Sequence, residues 1–316
     1  MKTGTRHQAP GTGQTGLAAV TALLIVAVAA SAAALMLAQQ SAMLDQTTLV
    51  ASRAQADQYA QAGLDWARGI LAEDRRSAGA VDSLDEGWAQ PMAGLPVERA
   101  IVAGAIGDEQ GKFNLNNLVR GTSKSAPDML AFSNLLASQG LAPELADAVL
   151  DWIDGDDDLA SGAGAENAYY LSLPRPYRAA NQPMSQVEEL YRVRGFDAAA
   201  VAKLRPYVTA LPARTAVNVN TAAAPVLAAI LPNVAGAKIA KFLTERRAKP
   251  LRTKQEISAW ATEAAPGVVD QSLDVRSDFF LVGVRVAQDD VELAAEALVQ
   301  RTDKGTTALV WRRPRY

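Results

Sequence analysis

The chain has 316 residues, with 31 lysines and arginines against 34 aspartates and glutamates, and it contains no cysteine. The missing cysteine excludes disulfides, thiolate nucleophiles and zinc sites built on thiolates, and the slightly acidic balance disfavours general binding to nucleic acid. Because His7 is the only histidine, the rest of the chain has no Ser/His/Asp triad and no histidine metal ligand. Composition therefore favours a structural protein over an enzyme, although a glycosidase-like carboxylate pair stays open by composition alone.

The first predicted element is an apolar helix from Leu17 to Ala38, a run of 22 residues without a charge. At about 1.5 Å per residue it is about 33 Å long, which is enough to cross a bilayer once. Lys2 and Arg6 precede the run, and the first charge after it is Asp45. This asymmetry predicts a cytoplasmic amino terminus and a chain that otherwise lies outside the cytoplasm.

Two other interpretations of the apolar run stay open. A secretory signal peptide would be cut near the small residues Ala32 to Ala34, although its apolar core is usually about 7 to 15 residues long. A simple single-span anchor would keep the run without any processing. Both alternatives also place most of the chain outside the cytoplasm.

The sequence predicts that this helix continues into a soluble stalk, because no proline occurs between Gly11 and Gln90. Apolar residues return to one helical face only towards the end of the stalk; they are Tyr59, Gly63, Trp66, Ala67, Ile70 and Leu71. From Leu17 to Leu71 the helix would be roughly 80 Å long. We expect the stalk to be bare near the membrane and to pack against a domain at its far end.

Strand-like runs occur at both ends of the remaining chain. One covers Val97 to Ile106, and three close the sequence at Phe279 to Ala287, Val291 to Arg301 and Thr306 to Arg312. The last three are joined by links short enough for antiparallel hairpins. Because the upstream strand needs a neighbour, we expect one sheet whose strands are separated in sequence by a long insertion.

The insertion, roughly residues 113–275, shows apolar residues at helical spacing. The predicted helices are Asp128 to Gln139, Pro143 to Ile153, Ser185 to Arg194, Asp197 to Leu204, Ala222 to Ile230, Ala237 to Lys249 and Thr253 to Thr262. Ser185 followed by Glu188 matches a helix-capping pair.

The segment from Asn218 to Arg247 resembles a helix-hairpin-helix module, a motif common in DNA-binding proteins. Its hairpin departs from the motif, because Asn233 and Ala235 stand where two glycines are usual. Four basic residues would form a modest basic face; they are Lys238, Lys241, Arg246 and Arg247. Since most such clusters are solvated surface, we favour a structural use of these helices over DNA binding.

The segment from Asp151 to Asp158 carries five aspartates in eight residues. The carboxyl end of the preceding helix disfavours additional carboxylates, so a bound divalent cation would compensate them. Asp154, Asp156 and Asp158 alternate as in a calcium loop, and Glu166 could close the site. The spacing is not that of an EF-hand, and from the residues alone a solvated acidic turn remains the alternative.

Gly16 followed at once by a long apolar helix resembles the start of a type IV prepilin or a type II secretion pseudopilin. In that family a prepilin peptidase cuts after the glycine, so Leu17 would become a methylated amino terminus. Most members carry a glutamate at the fifth position after the cut, which is thought to neutralise the amino terminus of the subunit above. Thr21 stands there in this chain, which is typical of the K-type minor pseudopilins.

The chain resembles that subtype over nearly its whole length. The matching segments are Gly111 to Leu118, Asp151 to Asp156, Gly164 to Tyr170, Asn181 to Pro183, Glu188 to Leu190 and Arg194 to Phe196. The resemblance implies calcium in the inserted domain, and we expect its ligands among the acidic residues of this segment, Asp151, Asp154, Asp156, Asp158 and Glu166. It also implies a subunit that caps the pseudopilus tip with the I and J subunits, and through them contacts the H subunit and the major pseudopilin G.

We therefore predict an α+β fold in which a long amino-terminal transmembrane and stalk helix packs on a pilin-like antiparallel sheet. A large all-α domain, SAM-like or helix-hairpin-helix-like, would be inserted in that sheet. The expected divisions are a leader at 1–16, a transmembrane helix at 17–38, its periplasmic continuation at 39–75, the pilin-like domain at 76–112 and 276–316, and the helical domain at 113–275. Single-pass anchoring in the inner membrane and no bound nucleic acid are expected. The alternative is a periplasmic DNA-binding protein linked to a type IV pilus or DNA uptake.

Overall fold

A computed structural model describes residues 14–77 and 79–315 of the chain, so most of the predicted leader, including Lys2, Arg6 and His7, lies outside the described residues. Helix α1, Gln14–Ser77, is a single helix of 64 residues. Every residue from Gly16 to Ala51 is exposed, and packing against other elements begins at Ser52. The predicted long helix is confirmed, and it reaches its first packing partner only in its second half.

Eight further α-helices and eleven strands occur in the part of the chain that the structure describes. The helices are α2 Ala126–Ser138, α3 Leu145–Ile153, α4 Asn167–Leu171, α5 Ala198–Leu204, α6 Ala224–Ile230, α7 Gly236–Glu245, α8 Lys254–Trp260 and α9 Val268–Ser272. The strands are β1 Met92–Val97, β2 Ala100–Asp108, β3 Phe113–Asn114, β4 Val119–Arg120, β5 Ser123–Lys124, β6 Val208–Thr209, β7 Val217–Asn218, β8 Leu273–Asp274, β9 Phe279–Gln288, β10 Val291–Arg301 and β11 Thr307–Pro314.

Five of these strands form one antiparallel sheet in the order β1-β2-β9-β10-β11. Strand β2 pairs with β9 in continuous register from Ala100 opposite Gln288 to Asp108 opposite Phe280. The two strands lie far apart in sequence, so the chain leaves the sheet after β2 and returns to it at β9. This arrangement confirms the predicted α+β class, with helices inserted between strands of one sheet.

The second half of α1 packs on one face of this sheet. Its buried residues recur at intervals of three or four, which is the spacing of a single helical face; they are Ala56, Ala60, Leu64, Ala67 and Leu71. They pack against valines that point to the same side of β9. Gly63 allows this close approach, because a Cβ atom there would lie 3.0 Å from a methyl group of Val284.

Two predicted elements differ in kind from the structure. The run predicted as one strand from Val97 to Ile106 is the end of β1 and most of β2, with a turn between them in which Glu98 has a φ of 51°. Strand β1 was missed because Gly94 and Pro96 interrupt its pattern. The predicted helix from Ser185 to Arg194 is instead a short 3-10 helix, Val187–Arg192.

The cause of the second difference is local. The amide of Ser185 donates to the carboxylate of Glu189 at 2.7 Å, and its hydroxyl contacts the same oxygen at 2.8 Å. This contact replaces the capping pair with Glu188 that the sequence indicated. The start of the segment is therefore held by a side chain four residues along, and a short 3-10 helix follows.

A buried arginine joins the end of α1 to the sheet. Arg301, 1% exposed, donates to Asp74 at 2.7 Å, to Asp82, and to the carbonyl oxygen of Ser277 at 2.9 Å. Its guanidinium also lies over the ring of Phe280, 4.6 Å from the ring centroid. The contacts come from α1, from the segment before β1 and from the residues that lead into β9, so one side chain holds three parts of the fold together.

We expect Arg301→Met to destabilise the chain strongly. Removing one partner of a buried ion pair leaves Asp82 buried without its main cation, which costs about 3–5 kcal/mol. Arg76→Met is a matched control, since the Arg76–Glu73 pair is more than half exposed and such pairs contribute about 0–1 kcal/mol. The measurement is the urea midpoint of the full chain in detergent. Equal midpoints for the two variants would contradict the role assigned to Arg301.

Candidate functional site

The processing junction predicted from the sequence lies near the start of α1. Gly16 and Leu17 are both helical and exposed. Thr21, four residues later, turns its hydroxyl back to the carbonyl oxygens of Leu17 and Ala18, at 3.0 Å each. The hydroxyl is thus satisfied by the helix itself, which suits a polar residue in an apolar environment. By length and composition α1 can cross a membrane, and none of its apolar window is buried in the protein.

An apolar groove lies between α1 and the face of the sheet, along strands β1, β2 and β9. It has a volume of about 230 Å³ and is lined from the α1 side by Gly63, Trp66 and Ile70 and from the sheet side by Met92 and Ile106, among others. Trp66 is 53% exposed at its mouth. Large aromatic side chains of this kind are enriched among the residues that carry binding energy in protein interfaces.

The second candidate site is the acidic loop between α3 and α4. Helix α3 ends at Ile153, and Asp154 follows it in an extended conformation, while Glu166 immediately precedes α4. Carboxylate oxygens of Asp154, Asp156 and Glu166 lie within 4.8 Å of one another. The loop therefore brings together three of the five residues that were predicted as calcium ligands.

Asp151 and Asp158 are placed differently from these three. Asp151 is fully buried, and one of its oxygens accepts a hydrogen bond of 2.9 Å from the amide of Ala160. Gly164 packs directly against it, since a Cβ atom on Gly164 would lie 2.0 Å from the Asp151 carboxylate. Asp158 is exposed, and the converging group does not include its carboxylate.

Several oxygen atoms around the loop are buried without a hydrogen-bond partner among the described residues. They are Asp151 Oδ2, Asp154 Oδ1, both carboxylate oxygens of Glu166, and Asn181 Oδ1. Unpartnered buried oxygens are costly. Hard oxygen donors in this number and closeness are what a calcium ion requires, because it binds 6–8 oxygens. The residues present therefore fit a divalent cation.

The pKa values of the loop carboxylates also favour a bound cation. Burial, followed by repulsion from Asp151 and Asp154, raises the pKa of Glu166 to about 8. Burial and the neighbouring carboxylates raise the pKa of Asp154 to about 6. Carboxylates packed this closely without a counter-charge disfavour ionisation, and a cation would reverse that preference.

Sequence reasoning missed two residues around this loop, one within it and one beyond α4. Asn181 donates to the carbonyl oxygen of Asp156 at 2.7 Å and turns its unpartnered oxygen inwards. Asp157 accepts hydrogen bonds from the amide and the side chain of Asn167, at 3.2 and 2.9 Å, at the start of α4. Asn181 belongs to one of the segments that carry the family resemblance, so the sequence did mark it. Its role was not recognised because it lies far in sequence from the aspartates of the loop.

The basic face proposed for DNA binding is not supported. Lys238 is paired with Glu263 at 2.8 Å, and Lys241 lies 3.9 Å from Glu245. Arg246 points inwards and donates to the carbonyl oxygens of Val219 and Ala222, at 2.9 and 2.5 Å, and its burial lowers its pKa to about 10. Two of the four cations are thus paired with neighbouring acids and a third is buried, so the segment does not present all four as one free basic face.

Comparison with known proteins identifies the family. A family model described as type II secretion system protein K matches residues 111–213, and a second model with the same description matches residues 217–276. The type II secretion system protein K of Pseudomonas aeruginosa is 32% identical over 303 residues, which cover 93% of this chain and 90% of that protein. The protein of the same name from Aeromonas hydrophila is 32% identical over 309 residues, with 91% and 93% covered.

The fold is also that of a solved structure. A chain in the GspK-GspI-GspJ complex of the enterotoxigenic Escherichia coli type 2 secretion system superposes with a TM-score of 0.77 at 24% identity, covering 86% of this chain and 99% of that one. The fold match agrees with the long helix, the interrupted sheet and the helical insertion described above. The chain therefore belongs to the protein K family of the type II secretion system.

Proposed function

We propose that this chain is a non-enzymatic, membrane-anchored minor pseudopilin that caps the tip of a secretion pseudopilus. The observation that supports the proposal most directly is the exposure pattern of α1. The helix is exposed from Gly16 to Ala51 and packs on the sheet only beyond that point. A long bare helix is suited to packing beside the helices of other subunits. The domain at its end is then held at one extremity of the assembly.

The position at the tip is supported by two further features. The helical insertion, which extends the chain between β2 and β9, would obstruct a shaft in which subunits stack closely but would not obstruct an end. Thr21 replaces the glutamate that is usual at its position in the family, and a subunit at the very tip has no neighbour above it whose amino terminus needs neutralising. Both features fit the cap of an assembly and do not fit its repeating body.

The partners we propose are the I and J minor pseudopilins, and through them the H subunit and the major pseudopilin G. The related chain of known structure forms a complex with GspI and GspJ. In this chain the groove beside Trp66 and Ile70 offers an apolar contact surface on α1, close to the sheet. A helix from a neighbouring subunit that follows α1 would pass along this groove.

We further propose that the protein lies in the inner membrane, with a cytoplasmic amino terminus and a periplasmic domain. Residues 17–38 would form the single transmembrane segment. Prepilin peptidase would cut after Gly16, and the new amino terminus at Leu17 would be methylated. The distribution of Lys2 and Arg6 before the span supports this orientation.

We propose calcium as the ion of the acidic loop. Asp154, Asp156 and Glu166 would hold it directly, with Asp151 and Asn181 adjacent. A calcium ion would supply positive charge to five otherwise unpartnered oxygens and would fix the loop between α3 and α4. Its role is structural: it keeps this part of the helical insertion in one conformation.

The processing prediction concerns the Gly16–Leu17 bond. Mass spectrometry of the membrane-extracted protein should show an amino terminus at Leu17 that carries a methyl group. Gly16→Val should block cleavage because the side chain is bulky, whereas Gly16→Ala should be cleaved partly. An amino terminus near Ala34 or Leu35 would instead identify a signal peptide, and the pseudopilin proposal would then be wrong.

The partner prediction concerns Trp66. The full chain in detergent, produced together with the I and J subunits, should co-purify with both of them. Trp66→Ala should weaken this association at least tenfold, because a central tryptophan in an interface commonly contributes 2 kcal/mol or more. Leu130→Ala is the matched control, since Leu130 is also an exposed apolar residue but lies on the helical insertion. Failure of the wild-type chain to bind either subunit would remove the basis of the tip proposal.

The calcium prediction concerns stability. A ligand that binds only the folded state stabilises it by about 2.7 kcal/mol at a concentration of 100 times its Kd. Calcium should therefore raise the Tm of the wild type and of Asp158→Ala, and a chelator should lower both. It should not change the Tm of the double variant Asp154→Ala with Asp156→Ala. If chelation leaves the wild-type Tm unchanged, the acidic loop is a solvated turn.

A further inference from the structure

A surface segment runs from the end of α4 back to the acidic loop. We call it the return segment and define it as residues 172–181. None of its residues is fully buried, and its middle carries two exposed arginines, Arg175 and Arg178. A segment with so little buried surface depends for its order on a small number of specific contacts.

The middle of the return segment is held by aromatic packing. The ring of Tyr177 stacks on the buried ring of Tyr170 in α4, with the two centroids 5.2 Å apart. The hydroxyl of Tyr177 also donates to the carbonyl oxygen of Arg192 at 2.7 Å. None of these groups belongs to the acidic loop, so the middle of the segment keeps its place without help from that loop.

The far end of the return segment is held by the acidic loop itself. The backbone amide of Asn181 donates to the carbonyl oxygen of Trp152, in the last turn of α3, at 3.0 Å. The side-chain amide of Asn181 donates to the carbonyl oxygen of Asp156 at 2.7 Å. One residue therefore ties the segment both to the helix before the loop and to the loop.

A second link to the loop lies two residues earlier. The amide of Ala179 donates to the side-chain oxygen of Asn167 at 3.2 Å. Asn167 in turn donates from its backbone and its side chain to the carboxylate of Asp157, at 3.2 and 2.9 Å. The position of Ala179 thus depends on the acidic loop through one intermediate side chain.

Asn181 has two properties that suit a connection to a bound ion. Its φ of 45° lies in a region that few residues other than glycine adopt, although asparagine enters it more readily than most, so its surroundings must hold it there. Its side-chain oxygen is buried without a hydrogen-bond partner among the described residues. Oxygens of this type are among the ligands that calcium accepts.

The acidic loop cannot keep its arrangement by hydrogen bonds alone. Glu166 is 3% exposed, and neither of its carboxylate oxygens has a hydrogen-bond partner among the described residues. Carboxylate oxygens of Glu166, Asp154 and Asp156 lie within 4.8 Å of one another. Ionised carboxylates this close repel each other. Without a cation the loop would spread, and the carbonyl group of Asp156 that holds Asn181 would move with it.

We propose that calcium bound in the acidic loop also closes the return segment, with Asn181 as the residue that couples the two. This inference rests on the calcium site proposed above. With the ion bound, Asp156 and Asn181 keep their positions, and the exposed surface around Arg178 has one conformation. Without the ion, the far end of the segment detaches while Tyr177 stays packed on Tyr170.

The test is amide hydrogen exchange of the full chain in detergent, with calcium chloride or with a chelator at the same pH. The reporters are the amides of Ala179 and Asn181, which donate across the two links. Opening that requires loss of the ion should be about tenfold rarer when free calcium is ten times its Kd. The amide of Gly140, which donates to Ala137 just after α2, is the internal reference and should change little.

Asn181→Gly removes the side chain but suits a positive φ, so the backbone can keep its course. Calcium should still raise the Tm of this variant, but it should no longer protect the amide at position 181. Gln182→Gly is the matched control, because Gln182 is exposed and its substitution gives the next residue the same backbone freedom. This control should retain the protection of the wild type.

Two outcomes would overturn the proposal while leaving the calcium site in place. One is a rise in the wild-type Tm with calcium but unchanged exchange at Ala179 and Asn181, which would mean that the segment is not coupled to the ion. The other is equal protection by calcium in the wild type and in Asn181→Gly, which would mean that Asn181 is not the coupling residue. If calcium changes neither the Tm nor the exchange, the calcium site and this inference are both wrong.

Discussion

The architecture depends on a single buried guanidinium, that of Arg301. Its partners are two carboxylates, Asp74 and Asp82, from consecutive parts of the chain and the carbonyl of Ser277, which lies about 200 residues further along. Burying this charge is unfavourable unless every contact is made at once. The end of α1, the segment before β1 and the entry to β9 must therefore be in place together, which makes the interaction a condition for the correct assembly of the sheet on α1.

The prediction from the sequence was most accurate where one periodicity extends over many residues. Helix α1 and strands β9 to β11 follow uninterrupted patterns, and their presence and order could be recognised directly. Strand β1 could not, because Gly94 and Pro96 remove the alternation, and its existence depends on pairing with β2. The short 3-10 helix at Val187–Arg192 was taken for a longer α-helix because the competing contact, between Ser185 and Glu189, is a side-chain choice that spacing does not reveal.

In the acidic loop, too, some residues of the site could be predicted from the sequence and others could not. The density of aspartates indicated a site, and Asp154, Asp156 and Glu166 do converge. The sequence did not show that Asp158 faces solvent, because the alternation that suggested its role assumes a regular loop. Asn181 enters the site from a distant turn in which it adopts a φ of 45°, and no local pattern predicts such a contact. Residues that reach a site through tertiary packing are the ones that single-sequence reasoning misses.

The uninterrupted course of α1 also has a mechanical consequence. The stretch between the apolar segment and the first packed residue, Gln39 to Ala51, is helical and without proline, so it is a stiff spacer of roughly 20 Å. Because the helix is continuous from its apolar half to the sheet, an axial displacement or a rotation of the apolar half would be passed on to the sheet. The domain would then move together with the helix and not independently of it.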